Sequence, residues 1–565
     1  MPVVARRIRP ESFVADFVFA AVAVMAGGYL LDLLHLPMPP LVLGAAALCA
    51  GAWGFFAFRE PQGAASGSPA LFIAVVVCAL GYLLWLASPA LLPITDGPDV
   101  VHHLQLIHLI QRTHRLPHDP ALAPYLAEMM NYTPGGHILA ATVAGWLRID
   151  ALRVVFPVTA LLVAIKFGIV YALAVRVIGD RPGAAWQALS APVLLLVPAV
   201  YTFGSFFRFY FYAQVVSETF VMAMALGAVG WMRTSDRRYL WLMAACGAGV
   251  VLSWPVWIVP AGAVAIAAIV LNRQPWRARA VAMAGVLLPA VMLALVHAWT
   301  HGAGASTIGS PGVVTKASTG NLGVAFLIVG AAGTILAVRI AAARPLVVLL
   351  AVALLESFAL AALEIRGLTP ASRALGGAPP SFYLPFKMVY LMVLPCAVLG
   401  ALALATAANG LMSLLPRARG VAVVIPLIVV ALLARGRFPL ERQHGPITES
   451  ALAAGLWARD HAIPAGCVDY FSHHWLTGYW LHLDVLGNPR VSDRMRAETF
   501  EFPDTAGTWL EGRGLPYAIV EDLPAIPRDV RVDMAVLHEF PPAAIVQNRR
   551  PPSGSDPGIA LCAVK

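Results

Sequence analysis

Apolar residues run along most of this chain in blocks of sixteen to twenty-five, interrupted by short polar stretches. About 20 apolar residues at about 1.5 Å rise each cross about 30 Å of hydrocarbon. The blocks lie near residues 12–33, 38–57, 69–92, 154–178, 185–203, 213–232, 239–254, 256–271, 278–299, 323–342, 345–364, 386–408 and 420–435. They predict about thirteen membrane-spanning helices. The stretch 134–147 is shorter and suits a helix lying along the interface. After residue 435 the pattern changes. Residues 448–461 and 504–512 read as helices, and 467–471, 517–520, 543–548 and 560–564 as strands. The expected architecture is a mostly α, polytopic membrane domain, 1–435, followed by a small α/β domain, 436–565.

Composition agrees with that pattern. Hydrophobic residues make up 59% of the chain and charged residues 12%, about half the roughly 25% of soluble domains. A mean hydropathy of +0.76 excludes disordered, collagen-like and disulfide-scaffold classes. The net charge of +9 is unevenly placed: residues 1–435 hold 27 Lys+Arg against 14 Asp+Glu, and 436–565 hold 12 against 16. In a soluble protein such a surplus would suggest nucleic acid. Here it sits in short loops, where it sets topology instead, so no nucleic-acid partner is expected.

With the N-terminus inside and the spans alternating, seven short inside stretches hold sixteen basic residues, from Arg6, Arg7 and Arg9 to Arg417 and Arg419. The outside stretches before the tail are longer and hold about ten. This is the positive-inside bias. It puts the N-terminus in the cytoplasm, as an uncleaved signal-anchor in a bacterial inner membrane, and both the loop 93–133 and the tail outside. Cys49, Cys78, Cys246 and Cys396 fall in apolar blocks and read as small hydrophobes. Cys467 and Cys562 fall in the tail, where an oxidising compartment permits them to pair.

The outside loop concentrates candidate chemistry. Gly97-Pro98 breaks the preceding helix, and a new helix is expected from Asp99 to about Thr113. Asp96 then sits on a turn at the membrane surface, and Asp99 and His103, four apart, share a helix face. A carboxylate so placed acts as a general base toward a hydroxyl, helps hold a divalent metal, or merely caps the helix. Histidine is dense there (His102, His103, His108, His114, His118, His137), but His103 has Ile107 four residues on and Pro117 interrupts His114 to His118, so the i, i+4 helical pairing of a zinc site is not expected. Two segments further on add candidate cations. Arg208 lies in an aromatic run, and Lys387, one of four lysines in the chain, enters a spanning block. Lys387 either meets an anion or snorkels to the interface. Lys166 lies mid-span and requires a partner.

Together these pieces resemble the GT-C superfamily of integral-membrane glycosyltransferases. The resemblance rests on the acidic loop after a span, the stretch Tyr132-Thr-Pro-Gly135, the second outside segment from Ser205 to Glu218, the tryptophan turn Ser253-Trp-Pro-Val-Trp257 and an α/β tail containing Leu515-Pro-Tyr-Ala-Ile-Val520. Two features depart from the family pattern. Two additional spans precede the one leading to Asp96, and the second loop offers Gln214 and Glu218 in place of an Asp-x-Asp pair. The resemblance implies transfer of a hexosyl or pentosyl group from a polyprenyl-phosphate donor to a glycan, lipid or protein acceptor on the outer face. Asp96 would be the base, with Asp99 its competitor. Lys387, Arg208, Arg373 and Arg366 would face the donor phosphate, and His103, Tyr132 and Glu218 would position the acceptor or substrate. No cofactor is certain. A divalent metal, if used, would draw on Asp96, Asp99, His103 and Glu218. In the tail, His473-His474-Trp475 and Trp480 read as core or as acceptor surface.

The main rival is a transporter or flippase of lipid-linked glycans. Such proteins show paired halves and mid-membrane ionisable residues, whereas here the halves do not match and the acids cluster in an outside loop.

Overall fold

The computed structural model describes residues 6–61, 67–95, 97–179, 181, 183–301, 312–368, 380–414, 419–489 and 515–549. The chain forms two compact units. One comprises Met1–Leu86, Ile110–Leu116 and Asn131–Glu441, the other Ala87–Leu109, Pro117–Met130 and Arg442–Lys565. The division differs from the 435/436 boundary drawn on composition, because most of the loop groups with the tail.

The first unit is a helical bundle, and the chain is a multi-pass membrane protein. Among the described residues eight helices are long and apolar enough to cross a membrane, the longest reaching 29 residues. Five shorter apolar helices have 10–17 residues: Gly135–Leu147, Arg238–Ser253, Pro255–Leu271, Val324–Val338 and Val424–Ala434. Helix starts follow simple chemistry. Pro10, Pro40 and Pro69 each open a helix, where the missing N–H has no partner to lose. Asp150 caps Ala151–Ile178 by accepting from the Leu152 N–H at 3.0 Å. Burial sorts the helices: 94% of the apolar window of Tyr212–Thr234 and 78% of that of Ala151–Ile178 lie inside the protein, against 17% for Pro69–Leu86 and Ala341–Ile365. A helix that is apolar all round and little buried has lipid as its solvent.

Two expectations need correction. Residues 185–203 do not form one span. They fold as short helices Ala184–Gln187, Ser190–Leu194 and Ala199–Thr202 joined by turns. Pro192 and Pro198 each remove a backbone donor and push against the carbonyl four residues back. Nor does a helix run directly into the acidic loop, because Pro69–Leu86 stops ten residues before Asp96. Residues 134–147 do form a helix, Gly135–Leu147, packed on Pro10–Leu33 and Pro40–Ala57 with its first turn buried. Backbones come very close in this bundle. A Cβ on Gly333 would lie 1.8 Å from the Leu399 carbonyl oxygen, so the contact between Val324–Val338 and Tyr383–Leu414 requires glycine there.

The second unit carries a four-stranded mixed sheet. Val468–Phe471 runs parallel to Tyr517–Val520, which pairs antiparallel with Ala543–Asn548, itself antiparallel to Met534–Phe540. Phe471, Ala518, Val520, Ile526, Val530, Met534, Ala544 and Val546 form its core. The helix Glu449–Asp460 is capped by Thr448, whose Oγ1 accepts from the Ala451 N–H at 3.2 Å. The expected helix 504–512 and strand 560–564 lie outside the described residues, as does Cys562. Cys467 is disulfide-bonded.

Candidate functional site

In the first unit the decisive feature is Lys387. Its helix, Tyr383–Leu414, is anchored at its start by Glu364, whose Oε2 accepts from the Phe382 N–H at 2.7 Å. Lys387 lies one turn in, four residues after Tyr383, so the two share a face. Its Nζ sits 3.7 Å from the ring centroid of Phe211, 4.4 Å from Tyr383 and 4.9 Å from Trp254. The side chain is 3% exposed, so it does not snorkel outward. Each ring comes from a helix end. Phe211 caps the start of Tyr212–Thr234, and Trp254 caps the end of Arg238–Ser253, a helix stopped by Pro255, which pushes the residue before it to extended backbone. The Trp254 carbonyl accepts from Ser217 Oγ at 3.2 Å. Ring faces turned toward an ammonium attract it through their quadrupoles.

Two other expected residues join this cluster. The Tyr132 ring lies 6.1 Å from Trp254 and 5.6 Å from His137. Its segment is pinned by Thr133 Oγ1 donating to the Ser253 carbonyl at 2.7 Å, and by Tyr212 OH donating to the Gly136 carbonyl at 2.6 Å. Arg208, exposed, lies over Phe209 at 5.2 Å, and Phe209 stacks on Phe211 at 5.0 Å. Arg366 stands elsewhere, exposed at the C-terminal cap of Arg344–Ile365, where a cation complements the helix dipole. Arg373 lies outside the described residues.

Glu218 has a different commitment. It is 2% exposed and forms an ion pair with Lys166, which is 1% exposed, while its other oxygen accepts from Gln214 Nε2 at 3.1 Å. The mid-span lysine thus has its partner, and the Glu218 charge is balanced inside the bundle rather than offered to a metal or an acceptor. Breaking a buried pair leaves an uncompensated charge, at a cost of about 3–5 kcal/mol. Lys166→Met should therefore lower the thermal midpoint in detergent sharply, and Lys166→Met combined with Glu218→Gln should recover most of the loss. A single variant as stable as the double would refute this pairing.

The loop helix spans Asp99–Thr113, as expected, with residues 99–109 in the second unit. Asp99 is in its first turn, and His103, on the same face, is 5% exposed. Asp96 itself lies outside the described residues. Its neighbours form a tight turn in which Thr95 Oγ1 accepts from the Gly97 N–H at 3.1 Å. The other loop histidines have structural engagements that the sequence did not reveal. His102 Nε2 lies 2.7 Å from Tyr479 OH and its Nδ1 3.6 Å from Glu128, and His108 Nδ1 lies 2.8 Å from Asp484 Oδ1. In the tail, Trp480 is core, His474 caps the helix Trp475–Trp480, and His473 lies 3.5 Å from Asp522. Among the described residues no group of three or more His, Cys, Asp or Glu is arranged to hold a metal ion.

No family model matches the chain, and no curated protein matches it. Among its structural neighbours are solved structures of the Archaeoglobus fulgidus oligosaccharyltransferase. The apo form aligns at TM-score 0.44 and 13% identity over 80% of this chain and 70% of that one. The form tethered to an acceptor peptide containing the NVT sequon through a disulfide bond gives 0.43 and 14%, over 80% and 69%. The complex with Zn and sulfate gives 0.42 and 16%, over 79% and 67%. At that level of similarity the chemistry of this chain has to be argued from its own residues.

Proposed function

We propose that this protein is a GT-C-type membrane glycosyltransferase that moves a sugar from a polyprenyl-phosphate donor to an acceptor on the extracytoplasmic face of a bacterial inner membrane. One observation carries the reading: a buried ammonium, Lys387, held in a box of three aromatic rings. Burying a lysine is costly, and one set among aromatic faces inside a bundle suits an anion that arrives with its own hydrophobic tail. A polyprenyl phosphate is such an anion. The positive-inside pattern and the disulfide-bonded Cys467 both suit a tail in an oxidising compartment.

In this mechanism a loop carboxylate, Asp96 with Asp99 as its competitor, takes the proton of the acceptor hydroxyl. The oxygen attacks the anomeric carbon with inversion as the bond to the donor phosphate breaks. The departing polyprenyl phosphate carries the released charge, which Lys387 meets with help from Arg208. Tyr132 contributes to substrate positioning, and a divalent ion, if one takes part, would draw on Asp96, Asp99 and His103.

The test uses the full chain in lipid nanodiscs with undecaprenyl-phosphate-linked mannose, glucose, galactose and arabinose as donors and a glycan acceptor panel. The expected result is glycosylated acceptor and stoichiometric free undecaprenyl phosphate. Donor moved across the bilayer with its sugar still attached would overturn the reading in favour of a flippase.

A further inference from the structure

Within the second unit the loop helix Asp99–Thr113 runs beside the tail segment Trp475–Trp480, which continues into a π-helical turn, Leu481–Val485. Two ties join them: His102 to Tyr479 at 2.7 Å and His108 to Asp484 at 2.8 Å. Both partners advance toward the C-terminus together, so the segments run in the same direction. Gln105 lies between the ties on the loop helix, completely buried, and neither end of its amide has a hydrogen-bond partner among the described residues. The same is true of Asp484 Oδ2, on a residue 1% exposed. Burying polar groups in this way lowers stability, so stability is a poor reason for them. A hydrogen-bonded pair does fix rotation and register where an apolar contact would allow sliding. The π-turn is part of the device. Its extra residue, marked by Leu486 N–H bonding the Leu481 carbonyl at 2.9 Å, changes the direction in which Asp484 points.

We propose that Asp484 is a positioning residue: through His108 it sets the rotation and register of the loop helix, and so the aim of Asp99 and His103. The proposal rests on the glycosyl-transfer reading. A one-residue slip turns a helix by about 100°, enough to carry Asp99 and His103 together off their face, and misplacement of about 1 Å costs a reaction about 100-fold.

The test replaces both partners, His108→Phe with Asp484→Leu, and separately makes Asp484→Asn, whose amide oxygen still accepts from the His108 ring. In the nanodisc assay the double variant should keep its thermal midpoint and its undecaprenyl phosphate affinity. Its kcat should fall about 10- to 100-fold with little change in acceptor KM. Asp484→Asn should stay within about fivefold of wild type, because the tie survives. Full kcat in the double variant overturns the proposal, as does a kcat loss that appears only together with lost thermal stability. A loss in Asp484→Asn as deep as in the double variant also overturns it. A wild-type protein that transfers no sugar from any donor removes the underlying reading instead, a result distinct from the others.

Discussion

Lys387→Met should weaken undecaprenyl phosphate binding by about 10- to 100-fold while leaving the protein as stable as before. A hydrogen bond to a charged group contributes about 1.5–3 kcal/mol, and tenfold in affinity is about 1.4 kcal/mol. Methionine suits the box: it nearly matches the length of lysine, and its thioether makes favourable contacts with aromatic rings. The Nζ lies near the rings of Phe211, Tyr383 and Trp254, so a purely structural lysine would lose cation–π attraction and shed the burden of a buried charge. Under that reading the variant is equally or more stable and binds the lipid as wild type does. The measurement is titration of the full chain in detergent with undecaprenyl phosphate, beside a thermal melt and a titration with undecaprenol. Wild-type affinity in Lys387→Met would sink the phosphate role. Loss of both lipids would mean that the substitution had closed a hydrophobic groove rather than removed a charge.

The residues around Lys387 show what a sequence reveals and what it does not. Scarcity marked the lysine itself, since one of four lysines in a 565-residue chain entering an apolar block requires a reason. Its walls were harder to see. Phe211, Trp254 and Tyr383 belong to separate segments, and the ends of their helices bring them together. The stop before Pro255 is legible, but the convergence of three helix ends is tertiary. Lys166 and Glu218 carry their own signal. A lysine and a glutamate of opposite sign in apolar blocks have few alternatives to each other, because hydrocarbon offers little else to pair with.

The fold was legible where one period dominated. Blocks of apolar residues marked helices, eight of which are long and apolar enough to cross a membrane among the described residues, but mean hydropathy concealed the breaks at Pro192 and Pro198, because proline in an apolar run hardly changes the average. In the tail, Val468–Phe471 and Tyr517–Val520 were visible as short β-rich runs. Met534–Phe540 was not, since most of that edge strand is exposed and lacks alternation. The histidine-rich loop misled in a different way. Density in sequence suggested shared chemistry, whereas His108 pairs with Asp484, 376 residues away, and no local pattern records that contact.

The loop carboxylates give the other large effect. Asp96→Asn should reduce transfer by roughly 10²- to 10⁴-fold, the range that a positioned general base supplies, with undecaprenyl phosphate affinity unchanged. Asp99→Asn should cost less than about tenfold. Asparagine caps a helix about as well as aspartate, so a residue that serves only as a cap tolerates the change, and a base does not. Asp99 lies in the first turn of Asp99–Thr113, where its charge also meets the positive end of the helix dipole, an effect of about 0.3–1 kcal/mol. A loss of that order is expected if Asp99 does no chemistry. Both variants belong in one nanodisc assay, each beside the wild type, with donor affinity measured on the same preparations. Reversed magnitudes would transfer the base role to Asp99. Near-wild-type rates in both would remove the carboxylate base altogether, and the acceptor proton would then need another destination, for which His103, on the same helix face as Asp99, is the next residue to change.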